Sequence, residues 1–279
     1  MSTDIPSPLS AELSKKHEAL KKHLTKLGAV AIAFSGGVDS TLLLSVAADV
    51  LGDSAIAITA RAQMIPAREI REASDFCAKR GIRHMVMDVD ALTIPGFVEN
   101  PANRCYLCKS ALFTHIVDQA ARLGIPYVAE GTNTSDLGDY RPGLKALGEL
   151  KVDSPLLAAG LSKADVRALS RKLGLPTWDK PSYACLASRI PYNEAITADK
   201  LRSVEHAEDA LMDAGFPQIR CRAHGDLARI EVASDQRAAL MDALISTDLT
   251  ARIHDAGFAY VTVDADGYRT GSLNQNVSE

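Results

Sequence analysis

The stretch Ser35-Gly36-Gly37-Val38-Asp39-Ser40-Thr41 follows a short apolar run, Ala29 to Phe34, and opens into an apolar segment, Leu42 to Leu51. A strand, a tight glycine turn and a helix start in that order aim bare backbone N–H groups at an anion. Paired glycines let the main chain approach a phosphate without a Cβ in the way, and Ser35, Ser40 and Thr41 add hydroxyl donors at the positive end of the helix dipole. A kinase or GTPase loop would carry Gly-x-x-x-x-Gly-Lys-Ser/Thr, with its lysine on the β- and γ-phosphates. Here the residue before Ser40 is an acid, Asp39. A plain turn capped by Asp39 or Ser40 would explain two glycines, but not the whole run of specified residue types in a strand-to-helix context. The stretch therefore reads as a phosphate cradle. Asp39 suits Mg²⁺, which prefers a carboxylate together with phosphate oxygens and water.

Outward from this loop, after an amphipathic helix at Leu13–Leu27, strand-like and helix-like segments alternate. Strands are predicted at Ala29–Phe34, Ser54–Thr59, His84–Asp88 and Pro126–Glu130, and helices at Ser40–Leu51, Ala67–Arg80, Lys109–Leu123 and Ser162–Leu173. Such alternation predicts an α/β fold, a doubly wound and mostly parallel sheet with helices on both faces. The phosphate loop then lies at the C-terminal end of the first strand, where open α/β sheets bind ligands. The fourth strand runs into Glu130-Gly131-Thr132-Asn133, followed by Asp136 and Arg141, at the same sheet edge. Gly131 permits close backbone approach, and Arg141 offers a planar cationic fork for phosphate or carboxylate. Lys163, in the first turn of the Ser162 helix, is a further phosphate candidate; the alternative is a solvated lysine.

The segment from Thr177 to Tyr192 holds the only tryptophan and no clear periodicity, and reads as a connector. A smaller α+β unit follows, giving expected domains 1–190 and 191–279. Its elements are a helix at Thr197–Ala214, strands at Gln218–His224 and Leu227–Ala233 about a Gly225-Asp226 turn, a helix over Asp235–Ala256 and a strand at Ala259–Val263. Strand alternation puts Arg220, Arg222 and His224 on one face, where Arg229 and Glu231 can join them. That face suits a phosphate or paired carboxylates, or else a ladder of cross-strand salt bridges.

Cys105-Tyr106-Leu107-Cys108 spaces two thiols for one metal or cluster iron, for a redox pair, or for two packed side chains. Cys185 in the connector supplies a third thiol, and the nearby Arg189 favours its thiolate. Three thiolates can hold a cubane cluster by three irons and leave one iron open. Cys77 and Cys221, inside a helical and a strand pattern, read as packed thiols. Five cysteines, an odd number, argue against a disulfide framework. A net charge of -4 gives no electrostatic case for a long nucleic-acid track. The first residues lack a signal pattern and no apolar run nears the roughly 20 residues that span a bilayer, so a cytoplasmic protein off the membrane is expected.

The combination of Ser35–Ser40, Glu130–Asn133, Trp178-Asp179-Lys180-Pro181-Ser182, Cys185-Leu186-Ala187-Ser188-Arg189 and His224-Gly225-Asp226-Leu227-Ala228-Arg229-Ile230-Glu231 resembles the LarE family. These are ATP-dependent sulfur transferases of the PP-loop, or N-type ATP pyrophosphatase, superfamily that help build the nickel-pincer nucleotide cofactor of lactate racemase. The resemblance implies an adenine nucleotide alpha hydrolase-like domain binding ATP and Mg²⁺ through Ser35, Gly36, Gly37, Asp39, Ser40, Thr41, Gly131 and Lys163. It implies adenylation of a carboxylate of pyridinium-3,5-biscarboxylic acid mononucleotide, held by Arg220 and Arg222 with Arg189 and Glu208 in support and, from the loop reading above, Arg141 as a further anion-binding candidate, and then replacement of oxygen by sulfur. In single-cysteine members the cysteine aligned with Cys185 gives up its sulfur and becomes dehydroalanine. This chain adds Cys105 and Cys108, and members with three cysteines resemble cluster-dependent sulfur transferases. The expectation is therefore a [4Fe-4S] cluster on Cys105, Cys108 and Cys185, with sacrifice of Cys185 as the alternative. A homo-oligomer and handover of product to a nickel-inserting cyclometallase are further implications. The rivals are a tRNA-thiolating PP-loop enzyme and a nucleotide-responsive metal-binding regulator without turnover.

Overall fold

The structure, a computed structural model, describes residues 10–138, 143–181 and 184–269. It packs as two compact units, neither continuous in sequence. The first comprises Met1–Ala62, Ala67–Val89 and Cys105–Ser182; the second, Gln63–Pro66, Asp90–Arg104 and Tyr183–Glu279. The elements begin with α1 (Ala11–Leu27), β1 (Val30–Ala33), α2 (Val38–Leu51), β2 (Ala55–Arg61), α3 (Ala67–Arg80), β3 (Arg83–Asp88), α4 (Arg104–Arg122) and β4 (Val128–Ala129). They continue through α5 (Gly143–Glu149), α6 (Pro155–Ala158) and α7 (Lys163–Lys172).

Strands β3-β2-β1-β4 form a parallel sheet in that order. Its two faces follow from period-two alternation. Val30 and Ile32 of β1 and Ala55 and Ala57 of β2 join Leu20 and Leu24 of α1, Leu43 of α2 and Ala73 of α3 in one core. Ala31, Ile56 and Ile58 face the other way, onto Phe113 and Ile116 of α4 and Leu147 of α5. The expected doubly wound α/β fold is thus present, because each strand carries apolar residues on both faces and needs helices on both. Central β1 lies between β2 and β4, so the chain reverses winding direction at its C-terminal end, and a ligand crevice is expected there.

The second unit holds α8 (Ala198–Asp213), β5 (Ile219–His224), β6 (Leu227–Val232), α9 (Arg237–Ser246), α10 (Leu249–Asp255) and β7 (Tyr260–Val263). Strands β5 and β6 pair antiparallel, with Arg220 opposite Glu231 and Arg222 opposite Arg229, and β7 adds parallel to β6. The single helix expected over Asp235–Ala256 is instead two. The Thr247 hydroxyl donates to Ala243 O at 2.7 Å and accepts from Leu249 N at 3.2 Å, ending one helix and starting the next. Segments 63–66 and 90–104 pack with this unit through backbone bonds such as Leu186 N to Met64 O (2.9 Å) and Ile196 N to Val98 O (2.8 Å). The division at residue 190 assigns these segments to the first domain, and as a functional boundary it is a proposal. Among the described residues, no helix is long and apolar enough to cross a membrane.

Candidate functional site

In the first unit, β1 ends and the chain turns through Gly36, whose φ of 70° lies in the left-handed region open to glycine. Gly37 then caps α2 in extended geometry, and among the described residues no side chain caps the first amides of α2. Ser40 Oγ lies 3.1 Å from Ser35 Oγ and donates to Gly37 O at 3.2 Å, which locks the turn on itself. Thr41 is fully buried beneath it. Its hydroxyl lacks a hydrogen-bond partner among the described residues, an orphaned donor that fits a cradle built for an anion.

The loop after β4 closes on this turn. A Cβ added at Gly131 would stand 3.0 Å from both Asp39 Cβ and Ser40 N and 3.2 Å from Asp39 C. The approach is onto the Asp39–Ser40 backbone and the Cβ fixed to it, so any side chain would require that backbone to give by a few tenths of an ångström. Buried Glu130 organises that loop: its carboxylate accepts from Thr132 N (3.0 Å), Thr132 Oγ1 (2.8 Å) and Ser154 Oγ (2.7 Å). Asn133 Nδ2 donates to Asp39 Oδ1 at 3.1 Å, and Lys163 Nζ stands 2.5 Å from Asp39 Oδ2. Lys163 is aimed by a capping box at Ser162 and Asp165, which starts α7, and its amide donates to Ser135 Oγ. Ser35, Gly36, Gly37, Asp39, Ser40, Thr41, Gly131 and Lys163 thus come together within one unit. Arg141 lies outside the described residues.

Lys180 was given no role by sequence reasoning. Its Nζ donates to Gly36 O at 3.1 Å and to Glu72 Oε2 at 2.6 Å. Arg167 of α7 holds the lysine's own carbonyl at 2.9 Å. The only signal was the lysine within the Trp178–Ser182 motif, because a contact across 144 residues leaves no local pattern.

In the second unit, half-buried Cys185 precedes a 3-10 turn, Leu186–Arg189. Arg189 folds back, and its Nη1 donates to Ala184 O (2.5 Å), Cys185 O (3.1 Å) and Ser188 Oγ (3.0 Å). Its other edge meets Glu208 of α8 in a two-point pair at 2.8 Å, with side-chain exposures of 1% and 4%. Glu208 also accepts from Cys221 N at 2.9 Å. Arg222 forms a second buried fork with Glu231 (3.0 and 2.8 Å) and donates to Ser188 O at 2.9 Å. Arg220 stacks over Tyr268 at 4.8 Å, and its pKa is lowered by burial and by Arg189. Strand alternation, with cations on one face, is borne out; the surprise is how deeply the face is buried, Arg220 being 3% and Arg222 5% exposed. Truncating one partner of such a pair strands a buried charge, so Glu208→Gln is expected to cost about 3–5 kcal/mol. A shift in denaturant midpoint at unchanged m-value checks it.

Cys105 is exposed and Cys108 half-buried, three residues apart at the start of α4. Among the described residues, no three His, Cys, Asp or Glu side chains gather closely enough to hold a metal ion. Cys77 and Cys221 are buried; burial pushes the Cys77 thiol up to about 12 and raises that of Cys221 well above its ordinary value. Both are packed in the interior, at 1% and 0% exposure.

The asparagine synthase family matches residues 16–99, which include the glycine turn. An uncharacterized protein of Synechocystis sp. is 42% identical over 94% of this chain and 98% of its own length. Pyridinium-3,5-bisthiocarboxylic acid mononucleotide synthase of Lactiplantibacillus plantarum is 36% identical over 96% of this chain and 97% of its own. The tRNA-specific 2-thiouridylase MnmA of Azorhizobium caulinodans is 30% identical, but over 54% of this chain and 48% of its own length.

Proposed function

We infer the function from one premise: the chain belongs to the LarE family, ATP-dependent sulfur-transferring enzymes built on the PP-loop fold. The proposed reaction converts a carboxylate of pyridinium-3,5-biscarboxylic acid mononucleotide into a thiocarboxylate. The observation that carries it is Gly131 seated against the Asp39–Ser40 backbone, which supports a cradle of amides and hydroxyls gripping a leaving pyrophosphate. A carboxylate is a poor acyl donor until its oxygen leaves with a stabilised group. In the proposed first step that oxygen attacks the α-phosphorus of ATP and the bond to the β-phosphate oxygen breaks, giving acyl-AMP and pyrophosphate. Asp39 would hold Mg²⁺, which screens the phosphate charges, and Lys163 neutralises the carboxylate until the cation arrives.

In the second step the Cys185 thiolate adds to the acyl carbon and AMP leaves, forming a thioester. Loss of the Cys185 α-proton with cleavage of its Cβ–S bond then frees the thiocarboxylate and leaves dehydroalanine. Arg189 holds the Cys185 carbonyl and so fixes the turn from which the thiol acts. Arg220 and Arg222 are proposed to receive the anionic groups of the mononucleotide, with Arg189 and Glu208 as the buried frame beneath them.

A second reading keeps Cys185 as an anchor. The one-turn spacing of Cys105 and Cys108 favours a [4Fe-4S] cluster shared by these two thiols and Cys185. Cys105 and Cys108 belong to the first unit and Cys185 to the second. Product mass and intact-protein mass after anaerobic turnover test the pair of readings. Thiocarboxylate formed with loss of one H₂S from Cys185 and no iron or acid-labile sulfide supports sacrifice. Iron and labile sulfide with Cys185 intact support the cluster, and product formation with neither change contradicts both. A cytoplasmic homo-oligomer that passes its product to a nickel-inserting enzyme completes the proposal.

A further inference from the structure

The stretch Ile94–Arg104 contains a polar residue that ought not to be buried. Asn100 is 0% exposed, precedes a proline and takes φ 57°, a left-handed conformation that asparagine tolerates better than other non-glycine residues. A buried amide is costly unless it finds partners. This one does: its Nδ2 donates to Pro191 O at 2.7 Å and Ile190 O at 3.3 Å, and its Oδ1 accepts from Arg104 Nη1 at 2.7 Å. Its backbone carbonyl accepts from Asn193 N at 3.0 Å. Arg104, itself 4% exposed, lies over the Tyr192 ring at 4.2 Å. One asparagine and one arginine therefore fasten four consecutive residues, Ile190 to Asn193.

Those four residues leave directly from the turn that carries Cys185. Its entrance is held by Leu186 N on Met64 O (2.9 Å), and its middle by Arg189 and Arg222 on the carbonyls of Cys185 and Ser188. The exit has Asn100. Pro191 has no N–H of its own to anchor it; its carbonyl accepts from the asparagine amide and from Glu194 N (3.1 Å), and the carbonyl of buried Ile190 accepts from the asparagine amide. We propose that Asn100, backed by Arg104, is a positioning residue for the sulfur-transfer step: it fixes the exit of the Cys185 turn and so the direction from which the thiol meets the acyl carbon. The proposal rests on the sulfur-transferase reading and deepens it. None of these residues belongs to the glycine turn, to the Gly131 loop or to Lys163, so adenylation does not depend on them.

Asn100→Gly is the informative substitution, because glycine accepts the left-handed backbone without strain and removes only the amide. The expected result is thiocarboxylate formation slowed by about 10- to 100-fold, the size of a misplacement near 1 Å, with pyrophosphate release and KM for ATP unchanged. The rate of Cys185 alkylation by iodoacetamide, read by peptide mapping, should change by several-fold at the same time. Arg104→Gln should move the same quantities in the same direction by less. Equal losses in pyrophosphate release and sulfur transfer would make Asn100 a merely structural residue and overturn the proposal, as would wild-type sulfur transfer and alkylation in Asn100→Gly. A wild-type protein that releases no pyrophosphate and makes no thiocarboxylate fails the functional reading instead, and the alkylation comparison still decides the positioning role.

Discussion

Cys185→Ser is expected to abolish thiocarboxylate formation while pyrophosphate is still released when ATP and the biscarboxylic mononucleotide are mixed. Serine keeps the size and the hydrogen bonds of the turn, since Arg189 contacts the Cys185 carbonyl and not its side chain. It lacks the sulfur atom and, with a far higher pKa, the ready anion. The acyl-AMP should form and then be lost slowly to water, so AMP accumulates without thiolated product. Liquid chromatography with mass detection reads both products from one reaction. Thiocarboxylate at the wild-type rate would remove Cys185 from the chemistry, and loss of both products would tie the cysteine to adenylation.

The second large effect is expected at Gly131. Its missing Cβ is the space into which the Asp39–Ser40 backbone fits, with 3.0 Å separations that no side-chain rotation can relieve. Gly131→Ala requires the second loop or the first turn of α2 to give by a few tenths of an ångström. A shift of that size in groups proposed to grip a leaving pyrophosphate is expected to lower ATP-dependent pyrophosphate release by about 10-fold. Gly148→Ala is the matched control, since a Cβ there has open space. A pyrophosphate assay on both, with thermal melts to verify folding, checks the expectation. Wild-type activity in Gly131→Ala would mean that the close approach is not part of the site.

The fold was legible because its signals are local. Ser35–Thr41 announced a strand, a turn and a helix, and the alternation of Ile32 with Ala31 and of Ile56 with Ala57 distributes β1 and β2 between two cores as a doubly wound sheet requires. The same period put Arg220 and Arg222 on one face of β5. What sequence could not reveal are partners set by the return of the chain. Lys180 reaches Gly36 across 144 residues, and Asn100 reaches Ile190 across 90. Neither has a repeat or a periodicity around it, and each reads as an ordinary loop residue until folding brings the other segment in. The break at Thr247 between α9 and α10 was within reach, because Ser246-Thr247-Asp248 is a run of capping residues inside an otherwise helical pattern. Helical periodicity on both sides masked it. Burial of Arg189 and Glu208 was hidden for another reason: charged residues read as surface, and only a tertiary pairing makes their burial tolerable.

The central claim is cleavage of ATP between its α- and β-phosphates at the glycine turn. The direct measurement is the fate of ATP labelled in the α-phosphate, incubated with the protein, Mg²⁺ and pyridinium-3,5-biscarboxylic acid mononucleotide. Labelled AMP in step with pyrophosphate and thiocarboxylate is the predicted result. Labelled ADP with inorganic phosphate as the co-product would contradict it.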